Sequence, residues 1–228
     1  MGSMSISDGH LSLDTTTPSD FNPDAKAIEA CSNLTELADV FGSDKGSIKH
    51  NYTRFYEKYL GHLKNDFFTL GEIGVACGAS LKMWSQYFRN AKIFGFDIRP
   101  ECKNLAPDYK NIEIKICDAT STKFDETFDV LIDDGSHISK DIVNAFALNF
   151  QSVKSGGWYF IEDTLCTFNP NYPKIVGFER DIGDFARSHY LRLIDLILQD
   201  IDANPNTVID RIVVHRQLIG IKKNESFG

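Results

Sequence analysis

Apolar and polar positions along this chain alternate between two periods from about Ala27 onward. Asn33-Leu-Thr-Glu-Leu-Ala-Asp-Val-Phe41 spaces its apolar residues for a short helix that Gly42 should end. Tyr52 to Leu63 carries a second, aromatic-rich helical pattern. Together they predict a helical cap over residues 33–64. Phe67-Phe-Thr-Leu-Gly-Glu-Ile-Gly74 is then a short apolar run closing on glycines, and Ser80 to Phe88 reads as a helix. Lys92–Asp97, Asn111–Cys117 and Phe128–Asp133 read as strands. From Ile138, the residues Ile142, Val143, Phe146 and Phe150 keep helical spacing up to Gly156-Gly157, and Trp158-Tyr-Phe-Ile161 follows as a fifth strand. An amphipathic helix from about Phe185 to Ile201 precedes Val208–Val214 and Leu218–Lys222, which are close enough to pair as a hairpin.

Strands alternating with helices predict an α/β protein whose parallel sheet is covered on both faces, with ligands at the carboxyl ends of the strands. The hairpin adds an antiparallel edge. A length of 228 residues suits one domain over 27–228. The Ser-, Thr-, Asp- and Pro-rich stretch over 1–26 lacks a basic or long apolar signal segment and reads as a flexible tail, with Met1-Gly-Ser-Met4 resembling an added leader.

Composition narrows the function. The 24 Lys and Arg against 32 Asp and Glu give a net charge of −8, which argues against a general nucleic-acid or anionic-membrane partner. No apolar run is long enough to span a membrane. Five cysteines, an odd number without paired C-x-x-C spacing, read as reduced thiols and not as a zinc site, so a cytoplasmic location is expected. The partner predicted on these grounds is a small molecule.

The candidate chemistry lies just beyond the strands. In Glu72-Ile-Gly-Val-Ala-Cys-Gly78, Gly74 and Gly78 allow either a close ligand approach or simply a tight strand-to-helix turn; the third glycine of a dinucleotide fingerprint is missing. Asp97 could accept hydrogen bonds from both hydroxyls of a ribose or cap a helix before Pro100. Asp118 could meet an adenine amino group or cap the next turn. Ile132-Asp-Asp-Gly-Ser-His137 and Glu162-Asp163 give a sharper signal. Neighbouring strand tips lie about 5 Å apart, so these acids converge, and a hard divalent cation would relieve their repulsion. His137, three residues past Asp134, has the intrinsic pKa of a general base.

Assembled, Phe41-Gly-Ser-Asp-Lys-Gly46 with Tyr52-Thr-Arg-Phe-Tyr56, the Glu72–Ser80 loop with Leu81-Lys-Met-Trp84, Asp133-Asp-Gly-Ser-His137 and Ile161-Glu-Asp163 resemble the class I S-adenosylmethionine-dependent methyltransferases. The resemblance is closest to the metal-dependent sugar O-methyltransferases of macrolide biosynthesis. It implies a Rossmann-like fold with a mostly parallel seven-stranded sheet. It also implies S-adenosylmethionine and Mg2+ (or another divalent cation) as cofactors, and O-methylation of a sugar hydroxyl on a glycosylated metabolite, nucleotide-sugar or polysaccharide. By the same resemblance Asp134, Glu162 and Asp163 hold the metal, and His137 with Asp134 does the chemistry. Tyr52, Tyr56, Glu72, Gly74, Gly78, Ser80, Asp97, Ile98, Asp118 and Asp133 face the cofactor. Homo-oligomerisation stays open. Ala76, where a glycine is common, and Ser155, where a proline is usual, depart from the pattern.

The rival readings are a metal-dependent O-methyltransferase of a catechol-like phenol, a nicotinamide-dependent dehydrogenase, and a binding module that keeps the fold without catalysis. The loop Thr164–Phe178, with Phe168, Tyr172 and Phe178, reads as a lid over a sugar or as a packed surface loop.

Overall fold

The computed structural model describes residues 22–168 and 182–226, together with the backbone of a two-residue antiparallel ladder, Ile6–Ser7 against His10–Leu11. Most of the expected tail, the side chain of Phe168, and Tyr172 and Phe178 lie outside the described residues.

Seven strands form one sheet: β1 (Thr69–Ile73), β2 (Lys92–Asp97), β3 (Ile112–Ile116), β4 (Phe128–Asp133), β5 (Val153–Ile161), β6 (Ile209–His215) and β7 (Leu218–Lys223). Their spatial order is β3-β2-β1-β4-β5-β7-β6. The first five are parallel, and β7 runs antiparallel to both β5 and β6. The expected parallel sheet with a hairpin edge is thus the observed one. β5 begins five residues before Trp158, because a bulge near Gly156 (φ +75°) carries the strand through polar Lys154 and Ser155.

Among the described residues there are six α-helices: α1 (Ala25–Glu29), α2 (Leu34–Phe41), α3 (Thr53–Leu60), α4 (Ala79–Tyr87), α5 (Ser139–Asn149) and α6 (Arg187–Ala203). The sequence had not disclosed α1, a single turn capped by the Asp24 carboxylate. Asn33 caps α2 by accepting from Glu36 N, and Gly42 ends it in the left-handed conformation at φ +70°.

Strand parity sorts the core into two layers. Leu70, Ile93, Val130, Ile132 and Phe160 face α2, α3 and α4, where Phe41, Tyr56 and Trp84 are buried. Ile73, Phe96, Leu131, Tyr159 and Ile161 face α5 and α6, packing on Ile142, Phe146, Leu193 and Ile197. Burying a side chain of this size contributes roughly 1.5–3 kcal/mol, so either layer outweighs any one polar contact on the surface. Cys31, Cys77, Cys102 and Cys117 are free thiols. No described helix is long and apolar enough to cross a membrane.

Candidate active site

The register of the parallel strands builds the site. Ile73 pairs with Phe96 on one side and with Asp133 on the other, and Asp133 pairs with Ile161. Gly74, Asp97, Asp134 and Glu162 are therefore all one residue beyond a single aligned row. Backbone bonds continue the row: Gly74 N donates to Phe96 O at 2.8 Å, Asp134 N to Ile73 O at 2.9 Å, and Glu162 N to Asp133 O at 2.9 Å. Gly74 has φ +91°, and a Cβ there would fall 2.0 Å from the carbonyl oxygen of Asp134, so only glycine lets these two strand ends meet.

One oxygen each of Asp134 and Asp163 and a ring nitrogen of His137 all lie within 4.8 Å of one another. His137 Nε2 is 3.8 Å from Asp134 Oδ1 and 3.7 Å from Asp163 Oδ2. Both His137 (φ +56°) and Asp163 (φ +52°) are non-glycine residues in left-handed backbone, as are Asn51 and Ala76 nearby in sequence to other site residues. Strain of this kind costs about 1–3 kcal/mol per residue and persists where surrounding structure holds it. Here it turns two side chains from adjacent loops onto one point.

Behind this cluster sits Lys45, a member of the Phe41–Gly46 motif whose role no local sequence signal gives. Its side chain has no exposed surface. Its ammonium lies 2.9 Å from Glu162 Oε2 and 3.3 Å from Glu72 Oε1, and it also donates to Asp134 Oδ2. Tyr56 OH donates to the other Glu162 oxygen at 2.6 Å, and Trp84 Nε1 donates to Glu72 Oε2 at 2.8 Å. Glu162 is thus turned towards Lys45 and Tyr56, while Asp134, His137 and Asp163 form the more open group; each Glu162 oxygen still keeps a lone pair beyond its single donor. Tyr52 OH donates to Asp163 Oδ1 at 2.5 Å, and His50, unnoticed in the sequence, stacks on Tyr52 with Nδ1 3.7 Å from that same oxygen.

The electrostatics favour an added cation. Burial, then the charge of Glu162, pushes the Asp134 carboxyl well above its ordinary pKa, against the pull of Lys45. Burial likewise raises Glu162. Burial opposes the charge on Lys45, but Asp134, Glu162 and Glu72 outweigh it and raise the ammonium well above the usual lysine value. Burial lowers His137, which keeps its imidazole neutral near pH 7. Two carboxylates at one point, with a neutral imidazole beside them and more acids behind than one ammonium neutralises, fit a hard divalent ion held by carboxylate oxygens and completed by water or hydroxyl oxygens.

The residues expected at the cofactor lie along the β1 and β2 ends. The Asp97 carboxylate accepts from Val75 N at 2.9 Å and Ala76 N at 3.3 Å, tying the Gly74–Gly78 loop to β2. Gly78 (φ +77°) leads into α4, with Ser80 in its first turn, and Ile98 is exposed beside Asp97. An exposed apolar side chain next to a buried acid and an open helix start suit a nucleoside-bearing cofactor. Asp118 accepts from Thr120 N and Oγ1 at 2.8 and 2.7 Å, which is the turn-capping alternative in operation. Asp133 is on the other face of the sheet: its carboxylate accepts from Tyr159 OH and Gly135 N, both at 3.3 Å, and burial raises its pKa to about 7. Parity explains this, since Asp133 shares the face of Leu131 and not that of Ile132.

The fold is that of the class I S-adenosylmethionine-dependent methyltransferases. Within that class the chain is similar to sugar O-methyltransferases of glycosylated natural products. It is 35% identical over 150 residues to the 8-demethyl-8-alpha-L-rhamnosyl tetracenomycin-C 2'-O-methyltransferase of Streptomyces olivaceus, covering 61% of this chain and 39% of that protein. It is 28% identical over 207 residues to the L-olivosyl-oleandolide 3-O-methyltransferase of Streptomyces antibioticus, covering 82% and 51%. Among solved structures, the mycinamycin-pathway methyltransferase MycE, determined with Mg, SAH and mycinamycin VI, superposes with a TM-score of 0.70 at 25% identity over 86% of this chain and 56% of that one. The chain thus spans about half or less of the length of the curated relatives it matches. No protein-family model matches it.

Proposed function

We propose that this protein is an S-adenosylmethionine-dependent, divalent-cation-assisted O-methyltransferase whose acceptor is a sugar hydroxyl of a glycosylated metabolite, nucleotide-sugar or polysaccharide. The observation that carries this reading is the convergence of Asp134, His137 and Asp163 on one point, at strand ends in register with those of β1 and β2. The resemblance to sugar O-methyltransferases supports the acceptor class.

Asp134 and Asp163, with Glu162 behind them, would hold the metal, and Gly74, Gly78, Asp97 and Ile98 would border the cofactor. When bound, the cation supplies Lewis acidity and the sulfonium cofactor supplies an already activated methyl group. His137 takes the hydroxyl proton at Nε2, for which its neutral form is needed. Asp134 Oδ1 and Asp163 Oδ2, at 3.8 and 3.7 Å, stabilise the positive charge the imidazole then gains. Tyr52 fixes Asp163, and Tyr56 with Lys45 fixes Glu162, so the carboxylates need no reorganisation as the proton moves.

The test is incubation with methyl-labelled S-adenosylmethionine and MgCl2 against parallel panels of glycosylated metabolites, nucleotide-sugars and catechols, read by mass spectrometry. Mg-dependent gain of one methyl group on a sugar is expected. Transfer to catechols alone, or transfer unaffected by EDTA, would overturn the reading.

A further inference from the structure

Arg99 folds its side chain back over Asp97. Its Nε and Nη2 donate to Asp97 Oδ1 and Oδ2, both at 3.1 Å, and its backbone N donates to Oδ1 at 2.9 Å. Val75 N and Ala76 N supply two more donors to Oδ2. A carboxylate offers about four lone-pair sites. Five donors already crowd onto them, so no acceptor position is left for a ribose hydroxyl.

The donors differ in how easily they can leave. Three are backbone groups held by the loop itself. The guanidinium sits on a side chain that is 47% exposed, whereas the Asp97 side chain is only 7% exposed. Nη2 also donates to Ala76 O at 3.1 Å, so the same group closes the gap between the cofactor loop and the β2 end. Ala76 holds φ +50°, and the other side chain on its carbonyl is the Cys102 thiol, at 3.6 Å.

We propose that Arg99 is an affinity-setting residue of the cofactor site, a displaceable occupant of the Asp97 acceptor positions that the ribose of an adenosyl ligand must take over. This rests on the reading of Asp97 as the ribose seat. Binding then replaces the Arg99–Asp97 ion pair, and the Nη2 hydrogen bond to the Ala76 carbonyl is given up at the same step. Removing the guanidinium should strengthen binding, opposite to the effect of deleting a residue that contacts the ligand.

The experiment is calorimetric titration of S-adenosylhomocysteine into the full chain at low and high NaCl, for the wild type, Arg99→Ala, Arg99→Met and Asp97→Ala. Both Arg99 variants should bind roughly two- to fivefold tighter than wild type, as expected for loss of one half-exposed competing pair. Salt should tighten the wild type and leave the Arg99 variants unchanged. Asp97→Ala should weaken binding by more than tenfold. If Asp97→Ala binds as well as wild type, the ribose seat and the proposal fail together. If Asp97→Ala weakens binding while neither Arg99 variant tightens it, the seat stands and the role of Arg99 is overturned.

Discussion

The ammonium of Lys45 lies 2.9 Å from Oε2 of Glu162, with both side chains removed from solvent. This pair joins a loop of the helical cap to the end of β5, and through Glu72 and Asp134 it reaches β1 and β4 as well. One cation therefore holds three strand ends in place.

Replacing Lys45 with Met should leave Glu72, Asp134 and Glu162 buried without their counter-charge. Loss of one partner from a buried pair costs about 3–5 kcal/mol. Urea denaturation at pH 7 should report a loss of that size, and the deficit should shrink as the pH falls and the acids take up protons. Equal stability of Lys45→Met and wild type at pH 7 would contradict the buried network.

Asp133 sets a pH dependence of stability. Its pKa is raised to about 7 from 3.8 by burial, so the folded form retains a proton that the unfolded chain has released. The contribution is fully present below pH 3.8 and lost as the pH rises through about 7, at most about 4 kcal/mol over that window. Asp133→Asn should remove this slope, and its stability relative to wild type should improve from acid to neutral pH. A parallel pair of stability–pH curves, measured in EDTA, would refute the assignment.

Tyr56→Phe removes the 2.6 Å hydrogen bond to Glu162, and Tyr52→Phe removes the one to Asp163. A buried carboxylate left short of a donor costs about 1–3 kcal/mol. Because Glu162 is 2% exposed and the Asp163 side chain 16%, thermal melting should show the larger loss for Tyr56→Phe.

His137→Ala should lower kcat by roughly 10²- to 10⁴-fold, the usual share of a general base, while binding of S-adenosylhomocysteine stays within about twofold of wild type. Single-turnover assays beside calorimetry separate the two effects. Full activity of the variant would remove His137 from the chemistry.

Strand and helix positions were legible to within a residue or two wherever apolar periodicity was uninterrupted, as at Lys92–Asp97 and Phe128–Asp133. β5 was read short because Lys154-Ser-Gly-Gly157 hides a strand behind a bulge. Asp134 and Asp163 were legible because a parallel sheet must bring its strand ends together. Lys45 was not, since its partners Asp134 and Glu162 are 89 and 117 residues away and a lone lysine after a helix normally reads as solvated. The orientation of Asp133 was within reach: counting alternation from Val130 and Ile132 assigns it to the α5–α6 face. Arg99 carries no local signal beyond its position two residues after Asp97.

Asp134 and Asp163, with His137 beside them as base, are proposed to frame a divalent-cation site. Mn2+ binding followed by electron paramagnetic resonance on the full chain, with Mg2+ as competitor, tests it most directly. One Mn2+ should bind per chain and be displaced by Mg2+, with affinity falling at least tenfold in both Asp134→Asn and Asp163→Asn. Unchanged Mn2+ binding in these two variants, or no stoichiometric binding to the wild type, would contradict it.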